Sequence, residues 1–312
     1  MLEGIASLFG YVLNYLYVWI GNYGVAILLF TLLIRLVWLP FSIKQQRNMK
    51  KTAKIQEKMT VLQNKYKNNQ EQLNKEISAL YKEEKVNPLS GCLSTIAQLI
   101  VFISIFYLVS RPLTYMVKLT DVYNPEANES EQVTVVDHYI NELKDSGEQL
   151  SYPEIKVIEK YGEEDKRVFL NMNFLGLDLS KVPTQNADDW KVFIIPVLYI
   201  ITTFASMKIT TELTKTDKQK QKEKEAKEKK KQAKLAKKDG EKTVVEVVEE
   251  ENPQESMQSM TKGMTYMMPV MSIAIALIAP LGLSLYWFVS GLLMLLERVI
   301  IVLIDKKFSK EA

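Results

Sequence analysis

Apolar stretches about twenty residues long alternate with stretches of dense charge along this chain, and neither kind looks like part of an ordinary soluble core. A helix rising 1.5 Å per residue needs roughly 20 apolar residues to cross about 30 Å of hydrocarbon, so the long stretches read as membrane spans. The first is predicted over 22–43, the second over 91–112 and the third over 191–211. The stretch from Met264 to Ile304 is too long for one crossing and holds Pro280-Leu281-Gly282 near its middle, which predicts two spans, 263–280 and 281–304.

Between the spans the periodicity changes. In 44–90 Lys and Gln dominate, yet Ile55, Met59, Leu62 and Tyr66, then Leu73, Ile77 and Leu80, recur at helical spacing. This predicts an amphipathic helical hairpin turning near Lys67-Asn68-Asn69-Gln70 and closed by Asn87-Pro88. Residues 1–21 place Leu2, Ile5, Leu8, Phe9, Val12, Leu16 and Trp19 near helical spacing beside Tyr11, Tyr15 and Tyr17, and read as an interfacial helix in preference to an extra span. With Glu3 and no Lys or Arg before Trp19 they lack a signal peptide's basic start and are expected to be retained. The segment 113–190 has only weak apolar periodicity and reads as an irregular soluble excursion. The fold class expected is all-α, a polytopic membrane protein of five transmembrane helices with a cytoplasmic amphipathic helical hairpin.

Charge orients this arrangement. Lys- and Arg-rich 44–90, the basic loop within 212–262 and the tail 305–312 all fall on one side of a five-span chain. From 118 to 190, where Asp and Glu outnumber Lys and Arg about two to one, the chain falls on the other side. Lys and Arg mark the cytoplasmic side, so the N-terminus is expected outside and the C-terminus in the cytoplasm. One cysteine, Cys92, and one histidine, His138, leave no Cys/His constellation for metal binding or nucleophilic catalysis. Without a Gly-rich Lys-Ser/Thr loop there is no ATP site either; no cofactor and no enzymatic activity are expected.

Arg35 is the most informative single residue. Its guanidinium cannot shed charge by a pKa shift, and near the middle of a lipid-facing helix it costs several kcal/mol. One reading lets it snorkel to the nearby cytoplasmic edge, Pro40 lying about 8 Å further along the helix. The other places it in a water-filled groove that presents positive charge to something acidic entering the membrane. Thr31, Gln98, Thr202, Thr203, Ser206, Tyr286, Trp287 and Ser290 are the polar and amphipathic groups that would line such a groove; each alone is equally explained by back-bonding or helix packing. Glu297-Arg298 reads as the lipid–water boundary in preference to an internal ion pair, and the methionines from Met257 to Met294 as membrane-core filler in preference to an adaptable client surface. The run Lys215–Lys242 suits rRNA phosphates or anionic lipid heads, or is a solvated topology determinant.

Several of these residues form a combination. Thr31-x3-Arg35-x4-Pro40, the Lys/Gln-rich hairpin, Asn87-Pro88 with Gly91-Cys92 and Gln98, Phe174-Leu175-Gly176-Leu177-Asp178-Leu179, Met268-Pro269, and Pro280-x-Gly282-Leu283-x-Leu285-Tyr286-Trp287-x-Val289-Ser290 together resemble the YidC/Oxa/Alb family of membrane protein insertases, in its bacterial five-span form of Gram-positive type. The resemblance implies a plasma-membrane protein whose five helices enclose a hydrophilic groove, open to cytoplasm and lipid, with Arg35 inside. Client membrane proteins would pass an acidic or polar tail through it. The implied partners are those clients, the SecY translocon, a ribosome bound through Lys215–Lys242 and anionic lipids, around a monomer. A transporter or channel using Arg35 as an ion or substrate site is the competing class; it predicts internal repeats, which the sequence does not show.

Overall fold

The computed structural model describes residues 2–66, 69–84, 89–123, 132–148, 150–214 and 271–311, which are mostly helical. The chain divides into two compact units, one of 1–41, 93–206 and 269–312 and one of 42–92 and 207–268.

The first unit holds the long apolar helices. Among the described residues three are long and apolar enough to span a bilayer, Tyr23–Gln46, Trp190–Glu212 and Leu281–Ile301. They belong to α2 (Tyr23–Lys65), to α7 (Ile194–Thr214) with the 3-10 turn before it, and to α8 (Leu281–Glu311). The second predicted span is α4 (Leu89–Ser110), whose apolar part runs Ile96–Ser110. Of the fourth predicted span, residues 271–278 are helical, and 263–270 lie outside the described residues, as do Asn87-Pro88 and the basic run Lys215–Lys242.

Two prolines behave differently from a simple helix breaker. Pro40 sits inside α2, which continues for another 25 residues beyond it, so the first span and the first hairpin helix are one helix. Pro40 has no N–H to offer the carbonyl of Leu36 one turn earlier, and both residues lie on the exposed side of the helix. Pro196 is not in a helix interior. It falls in the first turn of α7, where its missing N–H would have had no intrahelical partner.

The described residues of the segment expected to be irregular form regular elements. It carries a π-helical turn Leu113–Val117, α5 (Val135–Asp145), α6 (Pro153–Tyr161) and a hairpin of β1 (Asn173–Phe174) with β2 (Leu177–Asp178), paired Asn173 to Asp178 and Phe174 to Leu177. Helices of 11 and 9 residues are too short for periodicity to stand out, although they bury Val135, Val136 and Leu143, and Ile155, Val157 and Ile158. Glu154 fastens this segment to the end of α4. Its carboxylate, 4% exposed, accepts from the Leu113 and Thr114 N–H groups at 2.8 and 3.0 Å and from the Thr114 hydroxyl at 2.6 Å.

In α1 (Leu2–Ile20) the buried face is Ala6, Gly10, Leu13 and Leu16, while Leu8, Val12 and Trp19 of the predicted apolar stripe are exposed. Small residues decide the face, because a Cβ on Gly10 would lie 1.8 Å from the Tyr115 carbonyl oxygen. Phe9 meets Phe30 of α2 edge-on at 5.8 Å, and the Lys118 ammonium sits over the Tyr11 ring.

The second unit contains the predicted hairpin. α2 ends at Lys65 and α3 (Gln70–Glu83) starts behind Asn69, whose side chain accepts from the Gln72 N–H. Every residue of the predicted stripe, Ile55 to Leu80, is buried or half-buried. Tyr81 donates to the Met59 sulfur, and Lys58 pairs with Glu84.

Candidate functional site

The site begins with where helices start. α2 and α8 both have their first N–H groups satisfied by backbone carbonyls of one segment, 171–182. Tyr23 N–H donates to Asn171 at 3.0 Å, Leu281 N–H to Lys181 at 2.9 Å and Gly282 N–H to Leu179 at 3.0 Å. Asn22 caps α2, accepting from the Val25 N–H while donating to the Asn173 carbonyl. Phe174 lies so close to α2 that a Cβ on Gly24 would be 2.5 Å from its ring. The turn Leu175-Gly176 that closes the β-hairpin has φ of 53° and 79°, a left-handed pair that Gly takes freely and Leu does not. α2 and α8 therefore leave the same end of the bundle in parallel.

Arg35 follows about 18 Å along α2 from Tyr23. It is half-buried, and its Nη2 donates to the Ser290 hydroxyl of α8 at 2.5 Å, tying the two helices through a polar contact inside apolar stretches. Tyr286, one turn before Ser290 and 8% exposed, has its hydroxyl in hydrogen-bond reach of Ser290. Arg35, Tyr286 and Ser290 thus form one group. Thr31, one turn before Arg35, is buried and donates to the Ile27 carbonyl at 2.6 Å, the back-bond open to it from the sequence.

A second group joins α7 and α8. Arg298 Nη1 donates to both the hydroxyl and the carbonyl of Ser206, at 2.9 and 3.2 Å. The side chain of Arg298 thus reaches across to a neighbouring helix. Sequence reasoning missed this role, and the signal available was another permanent cation inside an apolar helix. Higher up, Thr202 donates to the Tyr199 and Leu198 carbonyls and stands where Gly291 leaves room, a Cβ there lying 3.6 Å from its oxygen. Trp287 is sandwiched differently, stacked on Phe102 of α4 with centroids 5.5 Å apart and tilted against Tyr199 at 5.9 Å. Gln98 is exposed on α4. Among the described residues no His/Cys/Asp/Glu group could hold a metal ion.

Comparison with known protein families matches residues 15–237 to the 60Kd inner membrane protein family, the YidC/Oxa1 family. The chain belongs to that family. Individual members align over a shorter stretch. The membrane protein insertase YidC of Geobacter sp. (strain M21) is 41% identical over 109 residues, 35% of this chain and 20% of the relative. The membrane protein insertase YidC of Francisella tularensis subsp. novicida (strain U112) is 42% identical over 107 residues, 34% of this chain and 19% of the relative. The alignment thus spans about a fifth of the length of these relatives. Among the described residues the chain is mostly helical and contains three helices long and apolar enough to cross a membrane.

Proposed function

We propose that this chain is a membrane protein insertase and chaperone of the bacterial plasma membrane, which moves client transmembrane segments into the bilayer through a positively charged, cytoplasm-open groove without nucleotide hydrolysis. The observation that carries this reading is Arg35, a permanent cation in an apolar helix, whose guanidinium donates to the Ser290 hydroxyl of α8. A guanidinium in a span is costly, and a transient client carboxylate is a ligand that offsets the cost. Thr31, Gln98, Thr202, Ser206, Tyr286 and Trp287 are the other groove residues of this proposal. Family membership and the relatives' names support it.

In this reading five helices cross the membrane. The hairpin of α2 and α3 and the basic loop face the cytoplasm, and 113–190 faces outward. Segment 171–182 then closes the outer end of the groove, since it occupies the helix starts of α2 and α8. A client's polar tail enters from the cytoplasm, pairs with Arg35, and crosses as the apolar segment moves into lipid, a transfer worth about 25 cal/mol per Å² of apolar surface. Partners are client membrane proteins, the SecY translocon, a ribosome docked on Lys215–Lys242 and anionic lipids; the working unit is a monomer.

The deciding experiment compares R35K, R35A and R35E at equal expression in cells depleted of the native insertase, scoring insertion of single-span clients with acidic translocated tails. Lys should support insertion while Ala and Glu fail. Normal insertion with all three, while the wild-type chain is still required, would remove Arg35 from the mechanism.

A further inference from the structure

The three long apolar helices begin at one level. Their spans start at Tyr23, Trp190 and Leu281. Segment 171–182 accepts from the Tyr23 and Leu281 N–H groups, and β2 lies against the 3-10 turn Trp190–Phe193. The β-hairpin is therefore held at the depth where hydrocarbon gives way to water. Two side chains at this level run against local rules. Leu175, at the hairpin tip, has φ of 53°, where the Cβ of an L residue is crowded, and it is 87% exposed. A glycine or asparagine would suit both the turn and water better. Trp190 is 69% exposed at the first residue of its span, a residue type that anchors helices at headgroup level. Both exposures are accounted for when the two side chains lie in lipid in place of water.

Their chain neighbours Gly176 and Lys191 line one recess of about 240 Å³, together with Asp178, Lys181, Asp189 and Leu281. Lys181 pairs with Asp189 at 3.2 Å, Asp189 also accepts from the Lys191 N–H at 3.1 Å, and Asp178 accepts from the Ser180 hydroxyl at 2.6 Å. The recess thus presents ammonium and carboxylate groups together, next to two exposed apolar side chains. We infer that it is a phospholipid site in the leaflet at this end of the bundle, taking a headgroup that carries a primary ammonium beside its phosphate. Lys191 meets the phosphate, Asp178 and Asp189 meet the ammonium, and the acyl chains run alongside Leu175 and Trp190. Charged donors and acceptors of both signs make the stronger class of hydrogen bond to such a headgroup. An anionic headgroup without an amine is repelled by the carboxylates, and a quaternary ammonium has no N–H to give them. The site requires only that the spans cross a membrane; it does not depend on the insertase reading.

The test adds phosphatidylethanolamine, phosphatidylglycerol or phosphatidylcholine of identical acyl chains to the full chain in detergent and counts retained lipid by native mass spectrometry. Wild type should retain phosphatidylethanolamine about fivefold more than either other lipid. K191Q should abolish that preference. L175G relieves the crowded φ, so it should melt no lower than wild type while retaining about threefold less phosphatidylethanolamine, a pair of effects that a purely structural role for Leu175 does not produce. Equal retention of the three lipids by wild type overturns the inference, as does wild-type retention by both K191Q and L175G. Displacement of the lipid by free phosphoethanolamine at the lipid's own concentration overturns it too, since the recess would then take a soluble compound.

Discussion

The two ends of the first unit solve the same problem with different chemistry. At the start of α2 and α8, polar groups are satisfied by backbone carbonyls of 171–182, within a segment that is itself tied by Leu179 N–H to the Met172 carbonyl and by Asn171 to Tyr17 and Gly21. Further along, around Arg35 and Arg298, the helices are joined by guanidinium-to-serine contacts made by long side chains. Backbone bonds of the first kind cannot be exchanged without moving the chain. Contacts of the second kind can be handed to another acceptor by rotating one side chain, at a cost of about 1 kcal/mol per hydrogen bond. One end is held by backbone and the other by side chains that a small rotation can redirect.

The largest expected blow to the closed end is steric. G10V drives a side chain into the Tyr115 carbonyl, and G24L does the same against Phe174. Overpacking of this kind costs about 1–3 kcal/mol, more where backbone must move, so both variants should lose much of their folded yield in detergent and melt well below wild type. E154A comes next. It strands the buried Leu113 N–H and should lower stability by about 1–3 kcal/mol, measured as a shift of the unfolding midpoint, with E154Q retaining part of the loss.

A smaller effect distinguishes the ordered outer segment by its pH response. Arg167 beside Asp165 holds that carboxyl down at about 2 against an ordinary 3.8. A depressed pKa stabilises the fold fully above the unfolded value, and the contribution disappears as pH falls from 3.8 through about 2. D165N should remove about 1 kcal/mol at neutral pH, allowing for the exposed Arg167, and flatten the acid limb of the stability curve. The smallest stability change belongs to the exchangeable end. R35A should alter the melting midpoint by less than about 1 kcal/mol equivalent, because deleting a partly buried charge also deletes its desolvation cost. A large loss of stability with R35A would erase the contrast between the two ends.

Sequence pattern carried the helices well because their apolar periods run for many turns. The hairpin stripe from Ile55 to Leu80 and the turn at Asn69 are where the pattern placed them. What it could not carry are pairings between distant residues. Glu154 is one acidic residue among many in an acidic segment, and nothing local marks it as the buried acceptor for the end of α4. Ser206 looks like any serine in a helix until Arg298, 92 residues later, is placed beside it. The close packing of α1 was hidden for a related reason. Close approach to the Tyr115 carbonyl requires Gly10, which shares the buried face with Ala6, Leu13 and Leu16.

Segment 171–182 has one more consequence, electrical in kind. Because α2 and α8 begin against it in parallel, their macrodipoles add, each contributing about half a positive charge at that end. In the proposed mechanism, a client carboxylate leaving Arg35 toward Tyr23 and Leu281 would move up this gradient of positive potential. The backbone contacts that hold the two helix starts together thus also gather the positive ends of both helices at one place.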